Sequence, residues 1–413
     1  MRTRSTTSPR VTPSARRLRR IGLALAATVG LSFALPTVAG ATPPAFTAGD
    51  VVVYRVGSGS GTLVNTGNAV FLDEYTPTGT LVQSVPVPTT ATGANHALIA
   101  SGTATSEGLL SLSPNGAYLA FTGYDAALGG SSLSGTTSAA VPRVVGVAKA
   151  DGSVDTHQEF TDFASANNPR SAVTTDGSAI WFTGAAGGVR VPATGTTSTQ
   201  VSTGSTSNFR ALDIYDNQLY VSSSSGSTVR VGTVGSGVST STGQAVTNLP
   251  GFPVTGSPYE FALVRLGAGS GTSDTLYVAD DTANQIQKYS LVSGSWVAEG
   301  AYTASGARGI AVSVTAGVAS IFATTGGSTA SGGGTIYAAT DSTGAGGTVS
   351  GTAANIASAA TNEAFRGIAF APTSAGNVDQ PALGGPAVPF IAAGGAALAV
   401  GVATKRRRRN AAA

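Results

Sequence analysis

From residue 51 onward the chain reads as short apolar runs, many with polar residues at alternate positions, separated by clusters of Gly, Asn, Asp, Ser and Pro. Alternation with period two, bounded by turn residues, is the signal of a half-buried β-strand. It is clearest in Asp274–Ser290 (DTLYVADDTANQIQKYS). There Leu276–Ala279 predicts one strand, Asp280–Asn284 a turn, and Gln285–Tyr289 the returning strand. Looser copies follow the turns at Ser113-Pro114-Asn115-Gly116, Thr175-Asp176-Gly177, Tyr215-Asp216-Asn217 and Thr315-Ala316-Gly317. Their second strands are Tyr118–Tyr124, Ala179–Gly184, Gln218–Ser222 and Val318–Thr324.

Each copy has an apolar strand before its turn: Leu109–Leu112, Ala172–Thr174, Ala211–Ile214, Phe261–Leu266 and Gly309–Val314. Third and fourth strands follow, so the unit is a four-stranded antiparallel sheet. Repeated sheets of this size predict an all-β protein, a β-propeller, in which radial packing leaves few exposed edges. Five complete units run from about Glu107 to Ser358. Phe365–Ala371 (FRGIAFA) matches a first strand with nothing after it, and Val51–Val56, Ala69–Tyr75 and Leu81–Val87 match second to fourth strands with no first. The C-terminal strand is expected to complete the N-terminal blade, giving six blades, with seven as the alternative count.

Leu276-Tyr277-Val278-Ala279-Asp280 and Asn284-Gln285-Ile286-Gln287-Lys288-Tyr289 resemble the NHL and YVTN-type repeats of bacterial propellers. The resemblance implies the propeller fold. It implies no chemistry, because propellers serve as enzymes, binders and scaffolds alike.

Composition modifies this picture at the two ends. The net charge is +3, yet seven basic residues precede residue 45 and five more occupy 405–409. Setting these aside leaves 11 basic residues against 20 acidic ones, a body near −9. Nucleic-acid binding needs clustered Lys and Arg and is not expected of such a body. The absence of cysteine removes disulfides, thiolate nucleophiles and Cys-based zinc sites.

Residues 1–41 have the basic, apolar and small-residue order of a secretory signal peptide, with Ala39-Gly40-Ala41 as the cleavage region. The propeller is expected over 45–372 and a Pro/Gly-rich linker over 373–386. An apolar segment at 387–404 would form a transmembrane or sorting helix, followed by a basic tail at 405–413. This end resembles bacterial cell-surface sorting tails, although Leu383-Gly384-Gly385-Pro386 stands where a Leu-Pro-x-Thr-Gly motif is usual. The expected location is the cell surface after export, with membrane contact through the C-terminal helix.

Aligning the first strands places a charged residue at or just before the start of each: Arg366, Glu107, Arg170, Arg210, Glu260 and Arg308 in ring order. These six are expected to converge at one channel mouth. As a structural girdle, Glu107 would pair with Arg366 and Arg170, and Glu260 with Arg210 and Arg308. As a ligand-binding site, four arginines against two glutamates would hold a carboxylate, phosphate or acidic sugar.

His96 and His157 lie outside any metal-ligand spacing, so the sequence predicts neither a metal site nor a cofactor, and places both histidines in loops. Asp280-Asp281 is expected to cap its turn. The aromatics on strands, such as Trp181, Phe182 and Tyr277, read as packing between blades. The function that follows is non-catalytic: display at the cell surface to bind an anionic ligand, a glycan or a surface protein. The alternative is a secreted hydrolase or lyase acting on an acidic substrate at the charged mouth.

Overall fold

The structure, a computed structural model, describes residues 43–204, 206–268 and 271–374. The expected signal peptide, the apolar segment at 387–404 and the basic tail lie outside these residues, as does most of the linker. Among the described residues no helix is long and apolar enough to cross a membrane.

Six four-stranded antiparallel sheets form the blades of a propeller. The first blade joins both ends of the propeller. Its inner strand is Glu363–Phe370, followed outward by Val51–Val56, Val70–Tyr75 and Leu81–Pro86. The inner strands of blades two to six are Ser111–Leu112, Pro169–Thr174, Leu212–Tyr215, Pro258–Val264 and Ala307–Thr315. Blades four and one each carry an additional two-residue strand paired in parallel, Ser202–Thr203 and Gly332–Gly333.

Two hairpin turns take left-handed pairs, one built from the favoured Asp-Asn and the other holding an alanine there against its preference. Asp216 and Asn217 take φ of 50° and 56°, and Ala316 and Gly317 take 53° and 78°, the left-handed pair needed by a two-residue hairpin. The cores lie between blades. Trp181 sits in a cluster with Phe209, Leu212 and Leu219, and Phe121 in one with Tyr54 and Leu119.

Antiparallel pairing of Val51–Val56 with Glu363–Phe370 closes the ring. Arg55 clasps the seam. Its guanidinium binds Asp73 on the neighbouring strand and, at 3.0 Å, Glu363 on the closing strand, and it lies over the Phe71 ring.

The inner strands begin earlier than the apolar pattern indicates. Arg170, Glu260, Arg308 and Arg366 therefore lie inside their strands, and the register against the second strand shifts at each of them. Four charged positions thus coincide with β-bulges, which insert one residue and re-aim a side chain. Gly309 and Gly367 follow two of them. A Cβ on Gly367 would come within 2.6 Å of Leu109 Cα, so glycine lets the inner strands of blades one and two touch.

Candidate functional site

Each of the six charged residues stands near the start of its inner strand: Arg170, Glu260, Arg308 and Arg366 within it, Glu107 and Arg210 just before it. They do not form the expected girdle: among the described residues no Arg–Glu ion pair joins any two of the six. Each instead satisfies backbone groups that ring closure takes away from water, where an unpaired N–H or C=O is costly.

Arg366 is buried and donates to the carbonyls of Gly102, Ala104, Gly327 and Phe365. Burial pushes its guanidinium down to about 10, with Glu107 acting in the opposite sense. Arg308 donates to Thr105 O at 2.8 Å and pairs with Asp281 at 2.9 Å. Together these arginines pin the 102–105 loop over this end of the channel. Glu107, also buried, accepts from Ser101 N, Tyr124 Oη and Asn168 Nδ2. Burial raises its carboxyl despite those donors.

Arg170 and Arg210 are half-buried. Arg170 donates to Asn208 and to Phe209 O, while its Nε is buried without a hydrogen-bond partner. Arg210 donates to Ser257 and Pro258, and its guanidinium lies 3.7 Å from the Tyr259 ring centroid. Arg308 stacks on the same ring at 4.5 Å.

Glu260 extends from blade five into the channel. Its carboxylate accepts from Leu110 N at 3.0 Å and Ile310 N at 2.8 Å, and also from Ile368 N. These amides belong to blades two, six and one, and blade two lies opposite blade five in the ring. The carboxylate therefore crosses the axis and seals the channel. Burial raises its pKa well above the usual range, outweighing the three donors.

Beyond this seal the opposite mouth is open. A cavity of about 680 Å³ lies where the inner strands end. Leu110, Ile310 and Ile368, whose amides Glu260 holds, are among its lining residues, and aliphatic side chains such as Leu112, Val264 and Val312 contribute to its walls. Asp213 is the chemical feature of this cavity. Burial pushes it up to about 7, against hydrogen bonds from Ile214 N and Tyr215 Oη. Tyr215 Oη lies 3.0 Å from both Asp213 Oδ2 and Phe261 O. One hydroxyl hydrogen cannot serve two acceptors. Both contacts are hydrogen bonds when Asp213 is protonated, donates to Tyr215, and Tyr215 donates to Phe261.

Sequence reasoning did not single out Asp213. The signal was there, a carboxylate inside the apolar run Ala211–Ile214. Tyr259 was also missed, because an aromatic beside a strand start is ordinary in a repeat protein. Asp280 caps its turn as expected, accepting from Thr282 N and Ala283 N, and Asp281 is drawn to Arg308. His157 lies on the strand Val154–Phe160, not in a loop.

No family model matches the chain, and no curated protein matches it. Among solved structures it is similar to a 6-phosphogluconolactonase-like protein of Bacteroides uniformis at 11% identity and TM-score 0.39, over 76% of this chain and 83% of that one. A Bacteroides fragilis counterpart gives 11% and 0.39, over 77% and 84%. A chain of the nidogen/laminin complex gives 10% and 0.39, over 78% and 98%. At such identities no residue role transfers to this chain.

Proposed function

We propose that this chain is a non-catalytic binding propeller whose ligand seats in the cavity opposite the charged ring. The observation that carries this reading is a concavity of about 680 Å³ with aliphatic walls, a lining that includes the Leu110, Ile310 and Ile368 whose amides Glu260 holds, and one half-buried carboxyl at Asp213. Such a site suits an apolar body with a hydrogen-bonding group that reaches Asp213. Of the partner classes expected from the sequence, a segment of a surface protein suits these walls better than a glycan. Asp213 is hydrogen-bonded to Tyr215 and to backbone, not to a nucleophile, which favours binding over turnover. Export and retention at the cell surface belong to the same proposal and rest on the sequences of 1–41 and 387–413.

The test is a thermal-shift screen of metabolites and peptides against wild type and Val312→Trp, whose indole fills the cavity. Ligands that stabilise the wild type are expected to lose their effect on the variant. Equal stabilisation of both would place binding elsewhere.

The buried, unpartnered Nε of Arg170 favours a second reading, an anion held between Arg170 and Arg210. A hydrolase or lyase acting on an acidic substrate would use the same mouth. Acidic-ligand binding that survives the double change Arg170→Gln and Arg210→Gln excludes it.

A further inference from the structure

His96, Asp125 and Glu159 come from three separate segments and meet outside both channel mouths. His96 Nδ1 lies 3.1 Å from Asp125 Oδ2 and 3.5 Å from Glu159 Oε2. One ligand atom from each of the three falls within 4.8 Å of the others. We propose that these residues form a site for a first-row divalent cation of the zinc class.

The spacing fits. Two ligands held about 2.1 Å from one ion, roughly 90–110° apart, lie roughly 3.0–3.4 Å from each other. The His96–Asp125 separation falls inside that range and the His96–Glu159 separation lies about 0.1 Å above it. With all three atoms within 4.8 Å of one another, drawing the two carboxylates inward brings the set onto one ion. Charge points the same way. A proton on the imidazole offsets only one of the two carboxylates, whereas a dication offsets both and leaves the ring neutral as a ligand. An imidazole nitrogen favours zinc-type ions over calcium and magnesium, which prefer oxygen alone.

The backbone holds the three in place before any ion arrives. His96 N donates to Thr156 O, and Thr156 Oγ1 donates back to His96 O. Asp125 N donates to Pro142 O, and Glu159 is fixed by strand pairing opposite Val144. The side chains are 30%, 26% and 19% exposed, so an ion can enter and keep water in its remaining positions. The occupied site would tie the 92–97 turn, in the connection between blades one and two, to the outer strands of blade two.

The test is isothermal titration of untagged, chelator-dialysed protein with zinc chloride and, separately, calcium chloride. One zinc per chain is expected, with no comparable calcium binding. His96→Gln and Glu159→Gln should each weaken zinc by about tenfold or more, while His157→Gln should leave it unchanged. Circular dichroism in chelator checks that each variant is folded; two variants guard against one failing. Zinc binding equal in wild type and in a folded His96→Gln, calcium bound as tightly as zinc, or no zinc heat at millimolar concentration would each overturn the proposal.

Discussion

Lys288 Nζ lies 2.7 Å from Asp341 Oδ2 with both side chains fully shielded from solvent, so a buried ion pair bridges blades five and six. Four acceptors surround the three N–H donors of the ammonium, so one of its hydrogens is shared. Lys288 also donates to Thr343 Oγ1, Gly344 O and Gly347 O, and Asp341 accepts from Tyr277 Oη and from Thr343 N and Oγ1. Burial alone would raise Asp341, but its donors, Lys288 foremost, bring it below the ordinary carboxylate range.

Removing one partner leaves the other charged and alone in the interior. Lys288→Met is expected to cost about 3–5 kcal/mol in urea unfolding. The double variant Lys288→Met with Asp341→Leu should recover a substantial part. A single variant as stable as wild type would show that water reaches this pair.

Glu260→Ala removes the acceptor of three amides held inside the channel. Each orphaned N–H costs about 1–3 kcal/mol, so a total loss of several kcal/mol is expected. Hydrogen exchange provides a local check. The amides of Leu110, Ile310 and Ile368 should lose protection before those of the outer strands.

Asp213 makes stability depend on pH with a definite sign. Its folded pKa is about 7, against about 3.9 in an unfolded chain. Between these values the folded protein keeps a proton that the unfolded chain has released. Stability therefore falls as pH rises from about 4 to about 7 and levels off above. Asp50, pushed up to about 6 by burial and by Glu74, acts in the same direction, so the informative quantity is a difference. Asp213→Asn should gain stability relative to wild type as pH rises through this window. Parallel curves for the two proteins would refute the assignment.

Gly367→Ala should destabilise the ring closure. The added methyl meets Leu110 N and lies 2.6 Å from Leu109 Cα, both backbone atoms that cannot rotate away. A loss of about 1–3 kcal/mol or more is expected from overpacking, read as a lower melting temperature. Gly129→Ala, a left-handed glycine with open space around it, controls for backbone strain alone.

The blade repeat was legible because strand alternation and turn chemistry are local. Tyr118–Tyr124 and Gln218–Ser222 fall where the residues place them. The closing strand was legible because FRGIAFA repeats the pattern of ARGIAVS in the sixth blade. The bulges at Arg170, Glu260, Arg308 and Arg366 were hidden, since a bulge is a mismatch between two strands and one strand does not reveal it. The partners of the charged ring were hidden for a related reason. Charge order along the chain suggests Arg–Glu pairs, but the arginines reach the 102–105 loop and Glu260 reaches amides of blades two, six and one instead. The meeting of His96 with Asp125 and Glu159 depends on how the connection between blades one and two folds back onto blade two, which no spacing encodes.

The seam between Val51–Val56 and Glu363–Phe370 also dictates an order of assembly. Blade one begins first and finishes last, because its inner strand is supplied only when nearly the whole propeller has been synthesised. Until then Val51–Val56 presents an unpaired edge, while blades two to six can form from neighbouring segments. Closure of this single long-range contact is the step that topology makes slow. During that interval the open edge is the place where two nascent chains would capture one another.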